Sequence, residues 1–185
     1  MKYVKMLGLL AVALMALAGT ASATTVTSSA GTTPTIEATS SNLTLHNAVG
    51  TISCESRLKL VIEKHGAGTA ASGKISSLTF TPCTGGSMHN STIKGGSLSI
   101  TATSGGNGTV TWSGGTWMTT MFGIECGYTT EGTSIGTLTA AEHAVLDITA
   151  TIKRTEGSGG IFCGSTANWT GTYKFVSPTN LSIDP

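Results

Sequence analysis

The sequence predicts an all-β protein: an antiparallel β-sandwich of jelly-roll or immunoglobulin-like type, with about nine or ten strands and two disulfides. Three observations lead there. From Thr24 onward the chain holds 33 Thr and 20 Ser in 162 residues, and the branched Cβ of Thr suits a pleated surface while Ser and Gly suit turns. Apolar residues recur with period two rather than 3.6. Glycine pairs and runs interrupt the alternating stretches: Gly66 to Gly73, Gly85-Gly86, Gly95-Gly96, Gly105 to Gly108, Gly114-Gly115 and Gly157 to Gly160. Only 10% of the 185 residues are charged, too few for a coiled coil or a helical bundle.

Residues 1–23 read as a cleaved secretory signal. Lys2 and Lys5 precede an apolar run, Met6 to Ala18, of 13 residues. A bilayer span needs about 20, and the run ends in Thr20-Ala21-Ser22-Ala23, a small-x-small cleavage site. Cleavage leaves 8 basic and 9 acidic residues, a formal charge of −1. With no block of like charges, nucleic acid is not an expected partner, and no later run is long enough to hold the mature chain in a membrane. Residues 24–34 are Thr/Ser-rich with one aliphatic side chain, Val26, and read as a flexible leader. A single domain is expected over 35–185.

Within that domain the alternation assigns faces. Ile52, Cys54, Ser56, Leu58, Leu60 and Ile62 form the buried side of one strand, with Glu55, Arg57, Lys59 and Glu63 on its wet side. Ala144, Leu146, Ile148, Ala150 and Ile152 repeat the pattern against Asp147, Thr149, Thr151 and Lys153. Shorter versions occur at Leu98-Ile100-Ala102, Phe122-Ile124-Cys126-Tyr128 and Trp169-Gly171-Tyr173-Phe175. Thr139-Ala140-Ala141-Glu142 has capping-box spacing, but the strict alternation that follows limits it to a short turn.

Export makes the cysteines interpretable. Cys54, Cys83, Cys126 and Cys163 are an even number, widely spaced and without Cys-x-x-Cys, which points to structural bridges rather than zinc or redox chemistry. Three pairings are open. We favour Cys54–Cys83 with Cys126–Cys163, each closing a loop of about 30 residues worth roughly 3–4 kcal/mol in the chain-entropy model.

Catalytic motifs are absent. There is no Gly-x-Ser-x-Gly, no His-Glu-x-x-His among His46, His65, His89 and His143, and only two Asp, Asp147 and Asp184. No metal or cofactor is expected. Glu55 and Glu63 share an outward face but stand too far apart to act as an acid/base pair, and Asp147 also points outward. Five Asn-x-Ser/Thr matches, at Asn42, Asn90, Asn107, Asn168 and Asn180, carry little weight in so hydroxyl-rich a chain. Binding chemistry rests on the aromatics. Trp112-Ser113-Gly114-Gly115-Thr116-Trp117 reads as a hairpin with a Gly-Gly turn, placing Trp112 beside Trp117 as an exposed pair able to stack on sugar rings. A bulge near Met121–Gly123 would then restore the parity of the following residues. Trp169 and Tyr173 read as core.

The strand Ala144 to Arg154, then Gly160-Ile161-Phe162-Cys163-Gly164, Asn168-Trp169-Thr170-Gly171-Thr172-Tyr173 and Ser177-Pro178-Thr179-Asn180-Leu181 resemble a group of secreted bacterial four-cysteine β-rich proteins of unassigned function. Gly50 to Cys54 and Thr79-Phe80-Thr81-Pro82-Cys83 extend the likeness to the first half. The resemblance implies a secreted, disulfide-bearing β domain and lends no activity. A looser likeness, in export signal and Gly/Ser/Thr-rich strands, is to small biofilm-matrix proteins. The expectation is therefore an exported, non-catalytic surface or matrix protein, structural or adhesive, whose partners are further copies of itself or a cell-surface polysaccharide. The alternative is a secreted carbohydrate-binding module using Trp112 and Trp117.

Overall fold

The computed structural model describes residues 23–29, 31–32, 34–65, 70–92 and 96–184. The expected signal, 1–23, lies outside them but for its last residue. Thirteen strands occur among the described residues. They are β1 (Thr25–Thr27), β2 (Thr35–His46), β3 (Thr51–Lys64), β4 (Ala70–Thr84), β5 (Ser87–Thr92), β6 (Ser97–Ala102) and β7 (Asn107–Ser113). There follow β8 (Thr116–Met121), β9 (Ile124–Thr129), β10 (Thr133–Thr139), β11 (Val145–Arg154), β12 (Thr166–Ser177) and β13 (Ser182–Asp184). The all-β class is as predicted, but the sandwich is not. Eight strands, β2, β3, β4, β6, β7, β10, β11 and β12, each pair antiparallel with the next, and β12 returns to β2. The result is a closed up-and-down barrel. A barrel and a sandwich both bury alternate residues along every strand, so periodicity alone does not separate them. What separates them is the seam where Gly136, Thr137, Leu138 and Thr139 of β10 meet Ile148, Asp147, Leu146 and Val145 of β11.

Gly136 explains why that seam forms. A Cβ there would lie 1.9 Å from the Asp147 carbonyl oxygen and 3.0 Å from the Ile148 Cα. Only glycine lets the two backbones come this close.

The predicted faces of β3 and β11 hold residue by residue, whereas Phe122, expected on a buried face with Ile124, Cys126 and Tyr128, is exposed because it sits in the turn before β9. Ile52, Cys54, Ser56, Leu58, Leu60 and Ile62 of β3 are all buried, as are Ala144 and the β11 residues Leu146, Ile148, Ala150 and Ile152. These side chains fill the interior, as an eight-stranded barrel permits. The outer wall presents hydroxyls, for example the Thr44 and Thr170 side chains hydrogen-bonded at 2.6 Å and Thr151 donating to Asn168 at 3.1 Å.

Both barrel ends are covered. At one, β1 pairs with β13, placing fully buried Val26 opposite Ile183. The expected loose leader is thus corrected: Thr25–Thr27 is an ordered strand, and the Thr24 hydroxyl accepts a hydrogen bond from the Ala102 amide. At the other end β9 joins β11 at Lys153 and Arg154, with β8 and β5 beyond it, as a three-stranded flap. β8 and β9 meet in a two-residue turn, Phe122-Gly123, with positive φ at both positions (50° and 80°). This is the primed geometry of a tight hairpin, and it replaces the bulge expected near Met121–Gly123.

The disulfides pair as favoured. Cys54–Cys83 links neighbouring strands β3 and β4. Cys126–Cys163 ties the flap strand β9 to the 3-10 turn Gly160–Cys163.

Two stability measurements follow. Gly136→Ala is expected to lower unfolding stability by about 3 kcal/mol, since backbone must move to admit the methyl group, whereas Thr137→Ala on the exposed side stays within about 0.5 kcal/mol. Urea titration reads both. Replacing Cys126 and Cys163 together by Ala opens a bridge with a sequence separation of 37 and is expected to cost about 4 kcal/mol.

Candidate functional site: a bulged polar cleft on the barrel wall

The aromatic pair does not provide an exposed site. Trp112 and Trp117 are each 1% exposed and Trp169 is 2% exposed. Trp112 and Trp117 do lie together, stacked with ring centroids 5.9 Å apart and planes at 11°, but not as the expected hairpin pair. β7 pairs with β6 and β10, while β8 pairs with β9 and β5. Gly114-Gly115 is therefore a link from barrel to flap, held by Thr130, whose hydroxyl accepts from the Gly115 amide and whose amide donates to the Gly115 carbonyl. Trp169 meets Trp117 at 5.1 Å and 60°. Among the described residues the three indole N–H groups have no hydrogen-bond acceptor, so ring contact and burial hold the cluster.

A polar depression of about 520 Å³ lies instead on the outer wall, over β12, β2, β3 and β4. Two bulges create it. Between Ser40↔Ser56 and Leu43↔Cys54, β2 advances three residues while β3 advances two. Between Cys54↔Cys83 and Ser56↔Phe80, β4 advances three while β3 advances two. β3 is thus flanked at Ser56 by an extra residue on each neighbour, and such bulges bend the sheet locally. On β2 the parity of buried positions breaks at this point, from Ile36, Ala38 and Ser40 to Leu43 and Leu45, leaving Ser41 and Asn42 both exposed.

The strand register sets out the polar groups. Lys174, Thr39, Arg57 and Thr79 form one row across β12, β2, β3 and β4. Glu55 lies two residues from Arg57 on the same face, with Thr81 on β4 and Thr172 on β12 completing the rim. Asn42 is fixed: its Oδ1 accepts from the Thr172 amide at 3.3 Å and the Ser40 hydroxyl at 3.1 Å. Glu55, Arg57 and Lys174, all exposed, have no ion-pair partner among the described residues. Nearby charges are paired: Lys59 with Glu37 at 3.0 Å and Lys74 with Glu63. A second depression of about 240 Å³ continues past Arg57, between Lys59, Ser77 and Val176.

Beneath the cleft is a buried hydroxyl relay. The Ser56 hydroxyl donates to the Thr79 carbonyl at 2.8 Å, so the Tyr173 hydroxyl, 2.7 Å away, donates to Ser56. Burial pushes the Tyr173 phenol well above its ordinary value of 10.0, against the opposing effect of the Ser56 hydrogen bond. Burial likewise raises Tyr128, against the pull of Asn47 and the Arg154 guanidinium. The Tyr128 hydroxyl donates to the Cys163 carbonyl at 3.0 Å.

The remaining candidates stay dispersed. Glu55, Glu63 and Asp147 face outward, and Asp147 accepts from the Thr172 hydroxyl at 2.7 Å. His46 is bonded to the Thr51 hydroxyl at 2.8 Å, and the His65 Nδ1 accepts from the Val26 amide. Among the described residues no three His, Cys, Asp or Glu side chains cluster as metal ligands, and no helix is long and apolar enough to cross a membrane. No protein-family model, curated protein or solved structure matches the chain.

Alkaline titration tests the relay. Both phenols are raised in the folded state, so the unfolded chain loses their protons first. Stability is expected to be level below about pH 10 in respect of these groups and to fall above it, approaching about 1.4 kcal/mol per pH unit for Tyr173. Tyr173→Phe is expected to cost about 1 kcal/mol at neutral pH and to remove one phenol's share of the alkaline slope, read by urea unfolding from pH 8 to 11.

Proposed function

We propose that this is an exported, non-catalytic adhesive or structural protein of the cell surface or extracellular matrix, acting through the outside of its barrel. The observation that supports this reading is the division of labour between the two faces. The barrel interior is filled with apolar side chains and both ends are covered. Strand after strand, the outer wall offers Thr, Ser and Asn groups that hydrogen-bond sugar hydroxyls as readily as they do water. Two disulfides suit an oxidising compartment. Contacts of this kind are individually weak, and adhesion comes from repeating them along a polymer.

Self-association is the second reading, favoured by the flap. Among the described residues β5 pairs with β8 alone. Its sequence, Ser-Met-His-Asn-Ser-Thr, contains no Lys, Pro or acidic residue of the kind that blunts an edge. Phe122, 86% exposed, projects from the adjoining hairpin tip. Antiparallel pairing of two such edges is self-complementary about a two-fold axis.

Co-sedimentation with insoluble neutral and acidic polysaccharides, beside light scattering over a range of concentrations, tests both readings. Retention on polysaccharide by a monomer is the expected result. Concentration-dependent growth that Phe122→Asn or Asn90→Lys abolishes would move the role to self-assembly. A monomer that no polysaccharide retains overturns the adhesive reading.

A further inference from the structure

We infer that the cleft centred on Arg57 is a binding site for a carboxylated saccharide, a uronate-bearing segment of a polysaccharide chain. The inference rests on the adhesive reading and supplies its site and ligand class.

Four features carry it. First, the cleft is shaped by two opposed bulges flanking β3, a device that recurs beside binding sites, and its volume of about 520 Å³ lies in the range of small-ligand pockets. Second, among the described residues Arg57 and Lys174 have no acidic partner while the neighbouring Lys59 and Lys74 are neutralised. Standing in one register row with Thr39 between them, their backbones are about 10 Å apart, two inter-strand spacings. A planar guanidinium in that position is suited to a bidentate grip on a carboxylate. Third, hydroxyls and a fixed amide surround the cations, from Thr39, Asn42, Thr79 and Thr81. Fourth, Arg57 lies at the junction of two depressions, the second reaching Val176, which is 51% exposed. A chain-like ligand can therefore continue past its anchor, with an apolar surface for sugar C–H groups.

Other ligand classes fit less well. A neutral sugar calls for a flat aromatic platform, and Trp112, Trp117, Trp169, Tyr128 and Tyr173 are all in the core. A dense polyanion meets the Glu55 carboxylate beside Arg57, whereas a uronate offers Glu55 its hydroxyl protons and Arg57 its carboxylate. An apolar peptide side chain finds no pocket here, since the cleft walls are Ser, Thr, Asn and charged groups.

Calorimetry with oligogalacturonate, its methyl-esterified counterpart and polyglutamate tests the assignment on the intact Thr24–Pro185 chain. Saturable binding of oligogalacturonate that weakens with added salt is expected, with the ester and polyglutamate each at least about tenfold weaker. Arg57→Gln and Lys174→Gln should each lower affinity by about tenfold or more, and Arg57→Lys should recover only part of the loss, because charge without the fork is insufficient. These side chains are exposed, and thermal unfolding of each variant checks that the fold is kept. Lys153→Gln, on the same wall but paired to Glu131 at 3.3 Å, is the control. Wild-type binding that Arg57→Gln leaves unchanged places the sugar elsewhere and overturns this site while leaving adhesion intact. Equal binding of polyglutamate overturns the saccharide class. Binding of none of the three, together with no retention on polysaccharide, overturns the adhesive reading as well.

Discussion

The hydrogen-bonded seam between β10 and β11 is the constraint on which the rest of the molecule depends. Without it, eight strands would form an open, curled sheet with two edges and an interior open to water. With it, every barrel strand has a partner on both sides, and alternate residues of all eight face one enclosed volume. The seam is set by the absence of a single side chain, at Gly136, where the opposing Asp147 carbonyl occupies the space of a Cβ. Backbone proximity and core filling are therefore one event: Leu138 reaches its place opposite Leu146 only when Gly136 passes Ile148.

Closure also decides where function can reside. Among the described residues apolar side chains fill the interior, and the β1–β13 pair and the flap occupy the two ends. Specific chemistry is left to the wall, and a regular wall is a poor site because its groups are evenly spread. The bulges at Ser41–Asn42 and Thr81–Pro82 break that regularity. They lower the surface locally until Ser56, hydrogen-bonded to the buried Tyr173 beneath it, lines the cleft, and they gather two cations without an ion-pair partner among the described residues and a carboxylate around it.

Much of this was readable before any coordinates. The faces of β3 and β11 follow from period-two alternation because each side chain's environment is fixed by its own parity. The cysteine pairing found is the favoured one of the three the sequence leaves open. What could not be read depends on distant partners. Val26 looks like one aliphatic residue in a Thr/Ser tail because its strand partner, Ile183, lies at the opposite end of the chain. Trp112 and Trp117 do stack, but Gly114-Gly115 carries the chain between two sheets, and the true hairpin is at Phe122-Gly123. The cleft did leave a local trace: on β2 the buried parity shifts after Ser40, with Ser41 and Asn42 both polar before Leu43. The parity of Arg57 puts it on the wet face of β3, yet its isolation from acidic partners is a property of the neighbouring strands.

The tryptophan cluster has a consequence of a different kind. Trp112 belongs to the barrel, Trp117 to the flap and Trp169 to the barrel strand next to β11, and the first two are stacked nearly parallel across the joint. Aromatic chromophores held at such distance and angle couple electronically, so the pair is a built-in optical gauge of flap position. The flap is joined to the barrel through two register positions on β11, the Cys126–Cys163 bridge to the 3-10 turn and the packing of Trp117 and Tyr128 into the common core, so its opening is a separable local event. Its detachment would weaken the near-ultraviolet circular dichroism of the packed indoles while the backbone signal of the eight-stranded wall persisted.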